Sequence, residues 1–291
     1  MEFKELNLIE TDKKLTQEEK NEWNAIYASY RSGSVITGRV AGVDYHNFEI
    51  KSPKKKKAEQ QSLRCLITMQ YRVKVIIPET DVWMEPMGSG YVLHSMCGAD
   101  IEYVITYIDR ENGFAVASRK VALEKLQYAI SRKRTLIGKT VEVKVVSVGR
   151  NVCTVNYSGY DVQLNQRDIS YSIVPDLRET IRPGELKRAL ITEFSSKEKV
   201  LKLSIKDTMP HPFDGVNIRH PIGSTRIANI VGKYAGGVFC RLYDNITDCL
   251  CSYDSMHFDG DFQLGNSVEI IIKKFNIEKK LVYGKILRKM H

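Results

Sequence analysis

The feature that most constrains the fold of this chain is a pattern of short strands that occurs three times. Each copy opens with a glycine and an extended, partly β-branched run: GSVITGRVAGV from Gly33, GKTVEVKVVSV from Gly138 and GSTRIANIVGK from Gly223. Each copy closes with a second glycine and a hairpin: GADIEYVITYIDRENGFAVAS from Gly98, PGELKRALITEFSSKEKVLKLS from Pro183 and LGNSVEIIIKKFNIEKKLVYGKIL from Leu264. Internal repetition of this kind indicates a repeat architecture.

The closing hairpins show the period of a strand that is buried on one face. In the second copy, Leu201, Leu203 and Ile205 alternate with polar residues. Two further short apolar runs lie between each opening and closing, which gives the order strand, strand, strand, irregular crossing, strand, turn, strand. Because a closed five-stranded sheet covers both its core and its edges, we predict a predominantly all-β protein with three tandem five-stranded barrels.

The segments between the copies divide the chain. We predict an N-terminal helical segment at 1–32, because Thr16-Gln17-Glu18-Glu19 is a capping box and Trp23, Ile26, Tyr27 and Tyr30 follow at helical spacing. That stripe indicates a helix packed on a barrel or on a partner. The predicted units are barrel 1 at 33–119 with a basic insertion at 52–62, a helical linker at 120–137, barrel 2 at 138–206, a proline-rich, non-helical linker at 207–221 and barrel 3 at 222–291.

The composition is that of a globular protein with a basic excess. The 291 residues are 43% hydrophobic and 27% charged, and the formal net charge is +9. No run of about 18 apolar residues is present, so we expect no membrane span. The start, MEFKELNLIETDKK, lacks an apolar core of signal-peptide type, so we expect a cytoplasmic protein.

Four runs resemble the bacterial ribosomal protein S-one family. GADIEYVITYIDRENGFAVASRKVALEKLQ is similar to the end of one family repeat and the linker to the next, and DISYSIVPDLRETIRPGELKRALITEFSSKEKVLKLSIK is similar to the second half of the following repeat. RVKVIIPETDV resembles a short motif of the family, and GGVFCRL from Gly236 is the best local match in the third copy. The resemblance implies tandem oligonucleotide-binding (OB-fold) barrels that bind single-stranded RNA, with the small ribosomal subunit as a further partner and a role in translation or its regulation.

A single strand of nucleic acid needs cations that track its phosphates and aromatic faces on which its bases stack. In an OB barrel the face of the second and third strands and the flanking loops supply them. The sequence offers such residues in all three copies. The candidate RNA-binding residues are Lys233, Tyr234, Phe239, Arg241 and Tyr243 in the third copy, Arg150, Tyr157, Tyr160 and Arg167 in the second, and Tyr45, Phe48, Tyr71 and Arg72 in the first.

Most candidates have a structural alternative. Phe239, Arg241 and Tyr243 alternate onto one strand face, but Phe239 could belong to the core and Tyr243 could cap the barrel. The run Lys54, Lys55, Lys56 and Lys57 is either a solvated hairpin tip or a phosphate-binding finger.

Charge is unevenly distributed along the chain. Residues 1–120 contain 17 Lys and Arg and 17 Asp and Glu, whereas residues 121–206 contain 16 and 9. The basic excess therefore lies in the helical linker and the middle barrel. If nucleic acid binds electrostatically, we expect the middle barrel to contribute most.

The cysteines and carboxylates give no sign of catalysis. The six cysteines form no CxxC pair, and a HxxC fragment at His94 and Cys97 has no second pair, so we interpret the thiols as small buried hydrophobes. Asp259-Gly260-Asp261 is read as a turn rather than a metal site. No Walker loop, GxSxG or HExxH is present, so we expect no enzyme, no metal and no cofactor.

Two other functions stay open. The amphipathic N-terminal helix and the neutral first barrel favour a protein-docking module for the ribosome or another RNA machine. A barrel face of this kind also suits single-stranded DNA, because the sequence does not distinguish the two sugars.

Overall fold

The computed structural model describes residues 16–50, 59–85, 91–132, 136–172, 174–253 and 259–290. It is mostly β, with three five-stranded sheets. The first sheet comprises β1 (Ile36–Ile50), β2 (Glu59–Gln70), β3 (Val73–Pro78), β4 (Asp100–Asp109) and β5 (Phe114–Ser118). The second comprises β6 (Thr140–Val148), β7 (Val152–Tyr157), β8 (Tyr160–Asn165), β9 (Leu186–Ser195) and β10 (Val200–Ser204). The third comprises β11 (Thr225–Tyr234), β12 (Gly237–Leu242), β13 (Asp248–Ser252), β14 (Ser267–Asn276) and β15 (Leu281–Lys289).

The first and third sheets close into barrels with the same strand order, β1-β2-β3-β5-β4 and β11-β12-β13-β15-β14. The closing contact is a parallel pair, β3 with β5 and β13 with β15. This architecture is consistent with OB-like barrels. Each sheet encloses its own core of aliphatic and sulfur-containing side chains.

Few helices accompany the sheets: α1 (Gln17–Ser32), α2 (Tyr91–His94), α3 (Arg119–Ser131), α4 (Gln166–Ile169) and α5 (Val216–Arg219). The predicted capping box is present, because the Thr16 hydroxyl accepts the N–H of Glu19 and the Glu19 carboxylate accepts the N–H of Thr16. Trp23, Ile26 and Tyr27 are buried in the core of the first sheet, so the helical stripe packs on that barrel. No helix in the described ranges is long and apolar enough to cross a membrane.

A glycine in the left-handed region recurs at the same point of each sheet, just before the fourth strand. Gly98, Gly184 and Gly265 have φ of 90°, 87° and 86°. Each N–H donates to a carbonyl of the first strand of its sheet, with N–O distances of 2.9 Å, 2.8 Å and 2.8 Å. Because other residues adopt this backbone only at a cost, the repeated glycines reflect the geometry that returns the chain to the first strand.

A second repeated feature is a β-bulge in the fourth strand of each sheet. The register shifts between Ile105 and Tyr107 in β4 and between Ile272 and Lys274 in β14. In β9 it shifts between Ile191 and Glu193, the partners of Leu203 and Lys202 in β10. At the bulges in β4 and β9 a threonine hydroxyl donates to the facing strand, from Thr106 to the Val116 carbonyl and from Thr192 to the Lys202 carbonyl, both at 3.2 Å. The bulge fixes which residues lie side by side in the three sheets.

The structure corrects three details of the predicted fold. The second sheet is open, because β8 and β10 are not hydrogen-bonded, and the N–H of Ile205 just after β10 instead donates to the Asp168 carbonyl in α4 at 2.8 Å. The linker predicted to be non-helical contains the helical turn α5. The predicted insertion at 52–62 is not wholly separate from the barrel, because β2 begins at Glu59 and pairs there with Ile50.

A buried charge pair joins the first and second sheets. Arg119, at the start of α3, is fully buried and donates to both carboxylate oxygens of Asp161 in β8 at 2.6 Å and 2.7 Å. The same guanidinium donates to the Val82 carbonyl at 2.9 Å and lies 5.1 Å from the Trp83 ring centroid. Since Val82 and Trp83 belong to the first sheet's core, Arg119 holds one side of the second sheet against the first.

Substitution of Gly184 by alanine tests the glycine geometry. A Cβ there would lie 2.6 Å from the Gly98 carbonyl oxygen, whereas a Cβ at Gly265 would meet nothing within 4 Å. Both changes carry the cost of positive φ, and only Gly184→Ala adds the clash. We expect Gly184→Ala to lower the free energy of unfolding by about 1 kcal/mol more than Gly265→Ala in urea denaturation. Equal losses of unfolding free energy in the two variants would contradict the short distance between Gly184 and the Gly98 carbonyl oxygen.

Substitution of Arg119 by alanine tests the buried pair. It leaves the Asp161 carboxylate buried without its partner, and breaking such a pair costs about 3–5 kcal/mol. We expect a loss of that size in the same denaturation assay. Arg178→Ala is the matched control, because its pair with Asp176 lies at the surface and should contribute little. A small effect of Arg119→Ala would show that the two sheets are not held together by this contact.

Candidate nucleic-acid interface

The third sheet presents an aromatic row on its outer face. In β12, Val238, Cys240 and Leu242 are buried in the core, so Phe239 and Arg241 point outward. The register places Phe239 opposite Leu250 in β13, and Leu250 opposite Tyr283 in β15. All three side chains are half-buried. Two rings with an apolar residue between them therefore form a continuous strip across three strands.

A cation and a second tyrosine border this strip. Lys274 of β14 pairs with Tyr283, and its Nζ lies 5.1 Å from the centroid of that ring. At the other end, the Tyr234 and Phe239 centroids are 5.2 Å apart. Burial raises the pKa of the Tyr234 phenol, so this side chain is neutral at physiological pH. We call Tyr234, Phe239, Leu250, Tyr283 and Lys274 the aromatic row.

Glycine at position 237 makes room for Tyr234. A Cβ there would lie 2.6 Å from the Tyr234 hydroxyl oxygen and 2.2 Å from the Cys251 carbonyl oxygen. The tyrosine ring therefore lies directly over the backbone of β12. This close approach explains how a tyrosine at the end of β11 reaches the outer face of the next strand.

Other predicted residues of the third sheet lie around the row. Arg241 is half-buried and its guanidinium donates to the Asp248 carboxylate, with Nε–Oδ1 of 2.9 Å. Tyr243 follows the end of β12 and is 63% exposed. Lys233 is exposed on β11, opposite Val238. Tyr234, Phe239 and Arg241 therefore share the outer face, with Arg241 already paired to a carboxylate. Lys233, opposite the buried Val238, lies on the other side of its strand.

The equivalent row of the second sheet has a different chemistry. The pairing of β7 with β8 and of β9 with β10 places Thr154, Gln163, Lys202 and Glu193 at the positions of the aromatic row. Lys202 and Glu193 form an ion pair at 2.6 Å. A cleft of about 550 Å³ separates β8 from β10 on this face. This face is polar and contains no aromatic residue in the row.

The predicted residues of the second sheet are spread over both faces. Tyr160 is 5% exposed and packs edge-on against Phe194 at 5.9 Å in the core, so its ring is not available for stacking. Tyr157 packs against the same core and is half-buried. Arg150, just before β7, and Arg167, in α4, are exposed. The structure does not bring these four residues together.

The first sheet is apolar at the same row. Ile67, Ile76, Val116 and Tyr107 are neighbours across β2, β3, β5 and β4. At one side of this face, the His46 ring lies 4.9 Å from Phe114 and 5.1 Å from Phe48. A cleft of about 500 Å³ adjoins these rings.

The predicted residues of the first sheet do not form one group. Phe48 joins the His46 cluster. Tyr45 is 67% exposed and lies three residues before Phe48 in β1, so the two side chains are on opposite faces of the strand. Tyr71 is exposed in the turn before β3. Arg72 pairs with Glu22 and Glu18 of α1, so its charge is used to hold the helix. Lys54, Lys55, Lys56 and Lys57 lie outside the described residues.

Sequence reasoning missed Leu250, Tyr283 and Lys274. The run LVYGKILRK from Leu281 does carry a signal, because Tyr283 and Lys285 alternate with the buried Val282, Gly284 and Ile286. The alternation places Tyr283 on the outer face. It does not show which residue of β13 lies beside it, because those strands are far apart in the sequence.

Five of the six thiols are buried, as predicted, and the prediction is wrong for Cys97. Cys249 and Cys251 point to the same side of β13, with their sulfur atoms 3.6 Å apart, and both lie in the third core. Burial raises the pKa of Cys65 to about 11 and that of Cys153 to about 12. Cys97 is exposed. Asp259–Asp261 forms a short 3₁₀ turn, and the described part of the chain contains no group of three His, Cys, Asp or Glu residues placed to hold a metal ion.

Known proteins show partial similarity to the chain. No protein-family model matches it. The chain is 22% identical over 218 residues to the 4-hydroxy-3-methylbut-2-enyl diphosphate reductase of Clostridium tetani, which covers 72% of this chain and 34% of the reductase. It is 22% identical over 191 residues to the small ribosomal subunit protein bS1 of Rickettsia typhi, covering 62% of this chain and 33% of that protein. The bS1 of Staphylococcus epidermidis is 25% identical over 123 residues, covering 41% and 31%. The chain thus spans about a third of the length of these curated relatives, and the similarity supports an S-one-like family at most.

Two solved structures match the chain with low scores. One is a multidomain protein with nucleic acid binding domains from Streptococcus pneumoniae, with a TM-score of 0.22, 11% identity and coverage of 89% of this chain and 74% of that one. The other is the a/eIF2alpha-aDim2p-rRNA complex from Pyrococcus horikoshii, with a TM-score of 0.25, 14% identity and coverage of 26% and 48%. These TM-scores are too low to establish a common arrangement.

Thiol labelling tests the burial of the cysteines. A neutral alkylating reagent reacts with thiolates, and buried thiols with raised pKa values supply few. We expect the folded protein at pH 8 to label rapidly at Cys97 alone, and all six cysteines to label in denaturant, as counted by intact mass. Rapid labelling of Cys249 or Cys251 in the folded protein would contradict the closed third barrel.

Proposed function

We propose that this chain is a non-catalytic protein that binds single-stranded RNA through the aromatic row of its third sheet. The observation that carries the proposal is the alignment of Phe239, Leu250 and Tyr283 across three strands, with Lys274 beside the last ring. Flat rings stack with bases of any sequence, and an adjacent cation neutralises a phosphate. The basic excess of residues 121–206, which precede the third sheet, adds to the electrostatic attraction of the chain for RNA.

A role in translation or its regulation is part of this proposal. The bS1 relatives are, by name, proteins of the small ribosomal subunit, and their similarity supports the small subunit as a partner. The repeated glycine and bulge geometry supports three OB-like units, with the middle one open at one seam. A cytoplasmic location fits this role.

The absence of catalysis is likewise proposed. The reductase relatives share only about a third of their length with this chain, so a reductase activity is not carried over from them. The three sheets and the helices that join them account for most described residues. We therefore propose that the chain needs no cofactor. Turnover of a substrate that depends on one carboxylate of this chain would overturn that part.

A second function is protein docking through the first sheet. The observation that favours it is the apolar row, in which Tyr107 is exposed and Ile67 and Val116 are half-buried, and which offers few groups for phosphates. Residues 1–120 also carry no net charge. A pull-down with the full chain distinguishes the two functions: partners that survive nuclease and high salt support docking, and partners lost under both conditions support RNA binding.

Substitution of Tyr283 by leucine tests the RNA proposal. Leucine keeps an apolar side chain but removes the ring on which a base would stack, and loss of one such stack costs about 1–3 kcal/mol. We expect that loss in fluorescence anisotropy with a labelled single-stranded RNA. Tyr128→Leu is the control, because Tyr128 is 65% exposed on α3, outside the row, and should leave affinity unchanged.

The same assay separates RNA from DNA. Matched unlabelled RNA and DNA oligomers are added as competitors to the bound RNA. Stronger competition by RNA supports the proposal, and stronger competition by DNA shows that single-stranded DNA is the ligand. Absence of binding to either strand at low salt would contradict nucleic-acid binding altogether.

A further inference from the structure

The cleft of the second sheet is bordered by cations on one side. It lies between β8 and β10, and Lys199, Lys202 and Lys206 line the β10 side. Lys202 is exposed even though it pairs with Glu193. Among the described residues, Lys199 and Lys206 form no salt bridge, although the charge of Lys206 helps to lower the pKa of the adjacent Asp207. These lysines can therefore attract an anionic ligand to this edge.

The carboxylates in the same cleft are engaged by the protein. Asp161 accepts two hydrogen bonds from the buried Arg119. Asp168 caps α4 by accepting the N–H of Asn165 at 3.2 Å. Asp207 accepts the Tyr171 hydroxyl at 3.0 Å. The Asp161 charge is balanced by the Arg119 guanidinium, whereas Asp168 and Asp207 stay ionised and their hydrogen bonds hold them in place.

The cationic border continues into the joint between the second and third sheets. The Nζ of Lys206 lies 5.6 Å from the Tyr171 ring, and the Tyr171 ring lies 4.3 Å from that of His211. Both rings are half-buried, so part of each faces solvent. The hydroxyl of the adjacent Ser172 donates to the Ile246 carbonyl of the third sheet at 2.9 Å. A cation and two rings in tilted contact thus lie where the two sheets meet.

On the third sheet, the residues next to this contact region lie close to the strands that carry the aromatic row. Phe213, two residues after His211, packs edge-on against Phe275 at 6.2 Å, close to the turn that connects β14 with β15. Lys280 ends that turn, and Tyr283 follows three residues later in β15. Burial lowers the pKa of His211, and the positive charges of Lys280 and Lys206 lower it further. Lys206 reaches this region through its contact with the Tyr171 ring, and Lys280 lies in the turn that follows β14.

We propose that one single strand of RNA runs from the cleft of the second sheet, across Tyr171 and His211, to the aromatic row of the third sheet. This inference rests on the proposed function and specifies its ligand as a strand longer than one sheet can hold. Lys206 and Lys280 take successive phosphates on the two sides of the joint. Tyr171 offers its ring to a base between them.

The test compares oligomers of two lengths on the full chain. An RNA of about four nucleotides fits a single OB-like sheet, whereas one of about twenty can span two. Lys206→Ala should weaken the longer RNA about tenfold and leave the shorter RNA, bound on the third sheet, unchanged. Lys280→Ala should weaken both. Each substitution should also flatten the salt dependence of the longer RNA, by about 0.7 in the slope of log K against log salt.

Two controls separate the path from general charge and folding effects. Lys289→Ala removes the same charge from the third sheet at the opposite end of β15, and should not change affinity for either RNA beyond about twofold. Tyr171→Phe retains the ring and should bind like the parent protein, whereas Tyr171→Ala should lose about tenfold on the longer RNA. Thermal melting of each variant shows whether it is folded.

The outcomes distinguish this inference from the proposed function. If Tyr283→Leu weakens the longer RNA but Lys206→Ala and Tyr171→Ala do not, RNA binds the third sheet alone and the path is wrong. If Lys289→Ala weakens binding as much as Lys280→Ala, the effect is net charge and the path is again wrong. If no RNA binds at either length, the proposed function fails, and this inference fails with it.

Discussion

The structure depends on one constraint. In a five-stranded sheet that closes on itself, the inward-facing residues of every strand must be buried in the core. Val238, Cys240 and Leu242 in β12 show the consequence, because they are buried and leave the alternate positions for the surface. A glycine with positive φ before the fourth strand and a bulge within it fix the register in all three sheets. The sheets differ in their outer faces and in the missing pairing between β8 and β10 of the second sheet.

The outer row differs in kind between the sheets. It is apolar in the first, where Ile76 is 1% exposed, polar in the second, and aromatic with a lysine in the third. Arg119 uses part of the second sheet's face to hold the first sheet. The second sheet's row contains Lys202, paired with Glu193, and no ring, whereas the neighbouring third sheet has the rings. The proposed binding of phosphates by one sheet and of bases by the next rests on this difference.

The sequence was sufficient for features that depend on neighbours along the chain. The period-two runs predicted the strands, and Thr16 and Glu19 predicted the start of α1. It was not sufficient for contacts set by pairing between distant strands. Tyr160 and Tyr283 are both tyrosines near a strand end, yet one is in a core and the other lies on an outer face. The parallel pairing of β13 with β15 places Leu250 beside Tyr283, and no local pattern encodes that register. The missing pairing between β8 and β10 and the contact of Arg119 with Asp161 also depend on how distant parts of the chain approach each other.

The most direct test of RNA binding at the third sheet is an NMR titration of the isotope-labelled full chain with a single-stranded RNA of about twenty nucleotides. The largest shifts should occur at the backbone amides of β12, β13 and β15 and at the ring protons of Tyr234, Phe239 and Tyr283. Shifts should be small around the apolar row of the first sheet. Shifts confined to the first sheet, or none in the third at saturation, would contradict the assignment of the aromatic row as the binding surface.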